Sequence, residues 1–347
     1  MQISELDTPS VVIDLDKMEA NIARMQAHCD SLGIKFRPHI KTHKIPEIAR
    51  MQLDAGAVGI ACQKVSEAEV FAEAGITDIQ IPYNIVGQVK ARRLIDLATY
   101  NRVTVAADHI SVIAGLADAA KTMDINVRVL VDVATHIKRT GAKPHEVVTL
   151  AKRIEEEVQL HFAGLMIYPS DPEDRPALQE AMDSLNRAGI GVDVVSGGGF
   201  GAALKAAEIP ELTEIRVGTY VFGDWRSAQR GWMSLDDCAM TVRTMVVNRP
   251  DTDRAILDGG GKTFTPDSHN GLYGHIVEYP DARIYQLSEE HGHVDLSQCN
   301  ETPVIGEVVN VIPVHTCLVT NMFDTIYGVR GEEVEKEWKV AARGKVW

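Results

Sequence analysis

The chain has 347 residues, 45% hydrophobic and 24% charged, the balance of a globular protein long enough for a barrel plus a smaller domain. Its net charge of -14 repels phosphate backbones, so no nucleic-acid partner is expected. No run approaches the roughly 20 apolar residues of a membrane span. The opening Met-Gln-Ile-Ser-Glu-Leu-Asp carries no leader-like stretch, and the five cysteines (29, 62, 238, 299, 317) include no C-x-x-C, so reduced thiols, no membrane partner and a cytoplasmic location are expected.

In chain order, residues 10–14 (SVVID) read as a strand. Asp16 is placed to cap the next helix, with Glu19 in capping-box position. Met18, Ile22, Met25, Cys29 and Leu32 then recur at spacings of 4, 3, 4 and 3, one apolar helical face that Gly33 ends. From there strand and helix alternate. Strands are predicted near 36–41, 57–61, 78–83, 102–107, 126–132, 160–167, 191–196 and 214–218, with helical stretches such as 66–74, 86–98, 109–121, 145–157 and 176–188 between them. Such alternation implies a parallel sheet, and eight units suggest a closed (β/α)8 TIM-type barrel; a doubly wound open sheet is the rival. After about residue 235 the segments 239–247, 254–257, 282–287 and 307–313 are β-rich and separated by Gly, Pro, Asp and Asn, which predicts a smaller, mostly antiparallel domain. The expected division is 16–235 for the barrel and 1–15 with 236–347 for the β domain.

The densest chemistry lies in Arg37-Pro38-His39-Ile40-Lys41-Thr42-His43-Lys44. A lysine among other cations tends to a lowered pKa, which frees its amine to attack a carbonyl, and the product expected is a Schiff base with an aldehyde cofactor. This segment resembles the pyridoxal-phosphate (PLP) lysine segment of the D-threonine aldolase and D-serine dehydratase family, which is similar in fold to alanine racemase. The resemblance implies that Lys41 is the Schiff-base lysine, that strand 10–14 joins the β domain, and that the protein is a homodimer.

In such barrels the active site lies at the carboxyl ends of the strands. Lys41 closes the first barrel strand, Arg139 follows the fifth, Tyr168 the sixth and Ser196-Gly197-Gly198-Gly199 the seventh. A glycine run after a strand leaves backbone N–H groups to face an anion, and the family uses a similar segment for the cofactor phosphate; the bland alternative is a tight turn. Arg139 suits a ring oxygen or a substrate carboxylate. Tyr220, in G-T-Y-V-F-G-D, resembles a family tyrosine that lines the cofactor, although barrel packing explains a tyrosine there equally well.

Two departures from the family stand out. Where it reads D-T-G-x-x-R-T-G, this chain has Ala134-Thr135-His136-Ile137-Lys138-Arg139-Thr140-Gly141, so the acid and the glycine are replaced. The Gly-His that often follows the active-site tyrosine is absent beyond Tyr168, where Pro169-Ser170-Asp171-Pro172 stands instead. His136 is therefore a candidate base for the substrate hydroxyl; the alternative is that it points to solvent and the metal centre supplies the base.

Near the end of the chain comes Val314-His315-Thr316-Cys317. In an extended strand residues i and i+2 share a side, so His315 and Cys317 are candidate ligands of one divalent metal. Cysteine favours zinc; D-threonine aldolases commonly offer an acidic residue there, with a harder ion such as Mn or Mg. His291 and His293 in S-E-E-H-G-H-V, with Asn321 and Asp324, also match the family broadly. The resemblance implies a PLP- and metal-dependent lyase on a small D-3-hydroxy amino acid. Retro-aldol cleavage to glycine and an aldehyde is the first reading. Dehydration of D-serine or 3-hydroxy-D-aspartate to a 2-oxo acid and ammonia is the alternative, and a non-catalytic PLP-binding protein is the second.

Overall fold

The computed structural model describes all 347 residues, Met1–Trp347. The chain forms two compact units, one of Arg24–Lys41, Pro46–Gly218 and Lys345–Trp347, the other of Met1–Ala23, Thr42–Ile45 and Thr219–Gly344.

In the first unit eight parallel strands follow one another around the sheet: Lys35–Phe36, Glu214–Arg216, Val194–Gly198, Leu160–Ile167, Val127–Val133, Arg102–Ala107, Asp78–Asn84 and Ile60–Ala61. The sheet curls back on itself. A parallel bridge between His39 and Ala61, with the Ala61 N–H donating to Pro38 O at 2.8 Å, joins its two ends. The open doubly wound sheet is thereby excluded. Strands such as Val127–Val133 (VRVLVDV) are buried on both faces, which is why they read as near-continuous apolar runs. Helices pack outside through one stripe: in Val147–Glu155 the buried residues are Val147, Leu150, Ala151 and Ile154, at helical spacing. Inside, Ala106, Leu130, Ala163 and Met166 form an apolar layer. Gly164 is required in its strand, since a Cβ there would lie 2.0 Å from Val194 O.

The second unit is a nine-stranded sheet. Its main path runs Arg283–Leu287, Gly292–Asp295, Arg254–Leu257, Met240–Asp251, Ser10–Asp14, Thr325–Arg330 and Glu333–Lys339, and Val308–Pro313 pairs with both Met240–Asp251 and Gly274–Ile276. All pairings are antiparallel except that of Ser10–Asp14 with Thr325–Arg330, so the first strand does join this sheet.

Two local expectations change. The first helix is Leu15–Ser31, and its cap is Asp14, whose Oδ1 accepts from the Lys17 N–H at 3.1 Å; Asp16 and Glu19 instead pair with Arg330. Lys41 does not close a strand. The strand ends at Phe36, and Lys41 lies in the 3-10 turn Ile40–Thr42.

Candidate active site

Within the barrel, Lys41 shares a cavity with His39, Gln63, Pro82, Arg139, Thr140, Met166, Tyr168 and Arg216. Each comes from the carboxyl end of a strand or the loop after it, as barrel topology dictates. No aspartate or glutamate lines the cavity, whereas Lys41, Arg139 and Arg216 all do. Such a lining favours an anionic ligand. The Arg139 guanidinium lies 4.7 Å from the centre of the Tyr168 ring, a cation–π contact that fixes both groups. His39 is held by Gln63, with Nε2 3.0 Å from Oε1. Lys44, the second lysine of the segment, belongs to the other unit, where it is buried with Nζ donating to Ala342 O at 3.2 Å.

The loop that presents Arg139 is tied down by carboxylates. Thr140 Oγ1 donates to Asp132 Oδ2 at 2.8 Å and the Gly141 N–H to Asp108 Oδ2 at 2.9 Å. Gly141 has φ +107°, and a Cβ there would lie 2.4 Å from Ala134 N, so the R-T-G glycine is a backbone requirement. Asp174 takes the His136 N–H on Oδ1 and faces His136 Nδ1 with Oδ2, each at 2.8 Å, while Glu173 lies 3.2 Å from the same nitrogen. These acids raise the imidazole pKa, first through the hydrogen bond to Asp174. His136 is not a cavity residue. The segment after Tyr168 supplies the acids at its side, which hold the imidazole against the loop.

Ser196 is fully buried and does not face the ligand space. Its hydroxyl donates to Glu214 Oε1 at 2.6 Å and accepts from Arg216 Nη1. Gln80 Nε2 reaches the same Glu214 oxygen at 3.2 Å, and Arg37 binds Glu214 Oε2 at 2.8 Å and Asp78 at 2.7 Å. Burial alone would push the Glu214 carboxyl up; Arg37, Ser196 and Arg216 outweigh it and hold it below the usual range. Burial lowers Arg216 to about 10 against the pull of Glu214 and Asp132. Burial also raises Asp132 to about 6, opposed by Thr140 and Arg216.

The glycine segment acts largely through shape. A Cβ on Gly198 would sit 3.0 Å from the Tyr168 ring and 3.2 Å from Arg216 Nη2, and one on Gly197 would sit 2.7 Å from Ser170 Oγ. The Gly198 N–H donates to Ser170 Oγ at 3.1 Å and that of Gly199 to Arg216 O at 3.2 Å, so these two donors are committed within the protein. Tyr220 is buried in the turn Thr219–Val221 of the other unit and is not a lining residue of the barrel cavity.

In the β-rich unit His315 and Cys317 are brought together, but not along a strand. The strand ends at Pro313; His315 is the N-cap of the helix Thr316–Thr320, and Cys317 sits in its first turn. The two side chains hydrogen-bond each other. Asp224 Oδ2 lies 2.7 Å from His315 Nδ1, and Thr42 Oγ1 3.2 Å from Cys317 Sγ. Cys317 and Asp224 outweigh burial and push the imidazole up to about 10. With Nδ1 engaged, the second ring nitrogen and the thiol are a borderline-soft donor pair that suits zinc.

Residues 13–225 match the model of the alanine racemase N-terminal domain, and residues 239–329 that of a putative serine dehydratase domain. A D-threonine aldolase of Arthrobacter sp is 32% identical, over 99% of this chain and 94% of its own. A 3-hydroxy-D-aspartate aldolase of Paracoccus denitrificans is 31% identical over the same shares. The crystal structure of D-threonine aldolase from Filomicrobium marinum superposes with a TM-score of 0.89 at 31% identity, over 99% of this chain and 97% of that one.

The chain belongs to the D-threonine aldolase and D-serine dehydratase family of alanine racemase-like enzymes. It is a PLP-dependent lyase by that membership, and the non-catalytic alternative falls. The barrel cavity fits the family's cofactor: an amine, an acid-free cationic lining, and backbone at Gly198 that leaves the space between Tyr168 and Arg216 open. The remaining family-like motif lies in a β-hairpin. In S-E-E-H-G-H-V the hairpin turn packs its backbone on Gly260, where a Cβ would lie 2.4 Å from His291 N, and His293 Nε2 is 3.0 Å from Ser288 Oγ. Asn321 accepts from the Gly344 N–H at 3.0 Å and Asp324 pairs with Arg343 at 3.1 Å.

Sequence reasoning missed Asp132, Glu214, Arg216 and Asp224. A signal exists for the first three: each is a charge set in an apolar strand, V-R-V-L-V-D-V or E-I-R-V. Asp132 also supplies, through space, the acid that Ala134 lacks in the Arg139 loop.

Proposed function

We propose that the protein cleaves D-3-hydroxy amino acids by a retro-aldol reaction, giving glycine and an aldehyde, with PLP on Lys41 and a divalent metal on His315 and Cys317. The observation that carries this reading is the acid-free, cationic cavity around Lys41. When bound, PLP supplies an electron sink for negative charge at the substrate Cα, and the metal supplies Lewis acidity. Lys41 holds the cofactor aldehyde and, once displaced, leaves an amine able to move a proton at Cα. Arg139, steadied by Tyr168 and by the carboxylate-anchored loop, binds an anionic oxygen of cofactor or substrate. Gly197, Gly198 and Gly199 keep the cofactor's space clear of side chains, and buried Ser196 fixes Arg216 at its wall. His39, Lys41 and Tyr168 are the cavity's proton-handling groups, and His136, outside the cavity, is assigned to holding the loop.

Dehydration to a 2-oxo acid and ammonia is the second reading, favoured by the cysteine in the metal pair and by the match to a serine dehydratase domain. Incubation of the purified protein with D-threonine and with D-serine, assaying glycine and 2-oxo acid together, separates the two. Glycine with acetaldehyde supports the aldolase; pyruvate without glycine overturns it in favour of the dehydratase; neither product overturns both. A cytoplasmic homodimer completes the proposal, and light scattering of the purified protein tests its oligomeric state.

A further inference from the structure

We infer that Asp224 is the positioning residue of the metal pair: its carboxylate holds His315 in the tautomer and orientation that leave Nε2 for the ion. The inference rests on the proposed role of His315 and Cys317. Asp224 is buried, with a side chain 1% exposed, and each of its carboxylate oxygens is hydrogen-bonded. Oδ2 accepts from His315 Nδ1 at 2.7 Å, and Oδ1 accepts from the Ser227 N–H at 2.7 Å as the N-cap of the helix Trp225–Gln229. Its backbone carbonyl takes the Ala228 N–H at 3.1 Å and faces Cys238 Sγ at 3.7 Å. The helix start therefore fixes the carboxylate, and the carboxylate fixes the ring. A proton held on Nδ1 leaves the Nε2 lone pair for a metal, the arrangement by which an outer carboxylate orients a histidine ligand. The cap uses Oδ1 alone, so Oδ2 is given to His315.

Two substitutions separate the cap from the positioning. Asp224→Ser keeps a good N-cap but is too short to reach His315. Asp224→Asn keeps the size, and its amide N–H can face Nδ1, which drives the ring proton to Nε2 and blocks the ligand atom. The measurement is zinc affinity of the full-length, PLP-loaded, metal-stripped protein, by competition with a chromophoric chelator, beside its melting without metal. Asp224→Ser is expected to melt near wild type without metal and to bind zinc about 10- to 100-fold more weakly. Asp224→Asn is expected to lose at least as much. If the serine variant folds poorly, the asparagine variant decides. Zinc affinity within twofold of wild type in the folded variants overturns the inference while leaving the metal pair in place. If wild type binds no zinc, or His315→Ala binds it as tightly as wild type, the metal pair itself falls, and this inference with it.

Discussion

Asp174 grips His136 twice, at its backbone N–H and at Nδ1, and so anchors the loop that presents Arg139 to the cavity. Because His136 lies outside the cavity around Lys41, we propose that it anchors the loop rather than moving a proton. His136→Gln is expected to keep turnover within about threefold of wild type and to leave the acidic limb of the pH–rate profile unchanged, where loss of a general base costs about 100- to 10,000-fold. The stability effect has a definite sign. The folded pKa is raised, so the clamp's contribution is complete below the ordinary imidazole value near 6.5 and is lost as pH rises through the raised value. Melting of wild type and variant across pH 5.5–9 should therefore diverge most at the acidic end. A tenfold fall in turnover with an altered acidic limb would restore His136 as the base.

Asp132, which holds Thr140 of the same loop, gives the barrel a further pH dependence. Burial raises its carboxyl from 3.8 to about 6. A raised carboxylate contributes stability below its unfolded pKa and loses it as pH rises through the folded one, here between about 4 and 6. Two units correspond to about 3 kcal/mol at most. Asp132→Asn, which keeps the acceptor for Thr140, should remove that slope: variant and wild type melt alike near pH 4, and wild type falls behind by pH 7. Parallel melting curves over this range would contradict the assignment.

Gly198 tests the shape of the cofactor's space. A methyl group there meets the Tyr168 ring at 3.0 Å and Arg216 at 3.2 Å, both cavity residues. Gly198→Ala is expected to weaken PLP retention about tenfold, at a cost in melting of no more than about 1–3 kcal/mol, the usual size of an overpacking effect. Retention of PLP equal to wild type would show that the tyrosine and arginine yield without consequence.

The barrel was legible because each parallel strand is apolar on both faces and each helix carries one apolar stripe. Lys41 was legible because five basic residues crowd eight positions. The strand Glu333–Lys339 was not, since only Val334 and Trp338 in it are apolar and the charged Lys336 interrupts their face. For His136, sequence spacing places the residue on a loop but says nothing of the acids that Pro169–Asp174 brings beside it. His315 and Cys317 do lie side by side, but a helix cap, not a strand's two-residue repeat, sets them there. Arg216 and Glu214 escaped notice as isolated charges, although a charge inside an apolar strand must find a buried partner, and that requirement is itself a signal.

The two lysines of the basic segment give the most direct measurement. Lys41 opens into the barrel cavity, whereas Lys44 Nζ is buried against Ala342 O. Lys41→Ala should cut turnover by more than about 100-fold. Borohydride reduction of the PLP-loaded protein, followed by peptide mapping, should place the phosphopyridoxyl group on Lys41 and leave Lys44 unmodified; label on Lys44 with Lys41 free would contradict the cofactor site.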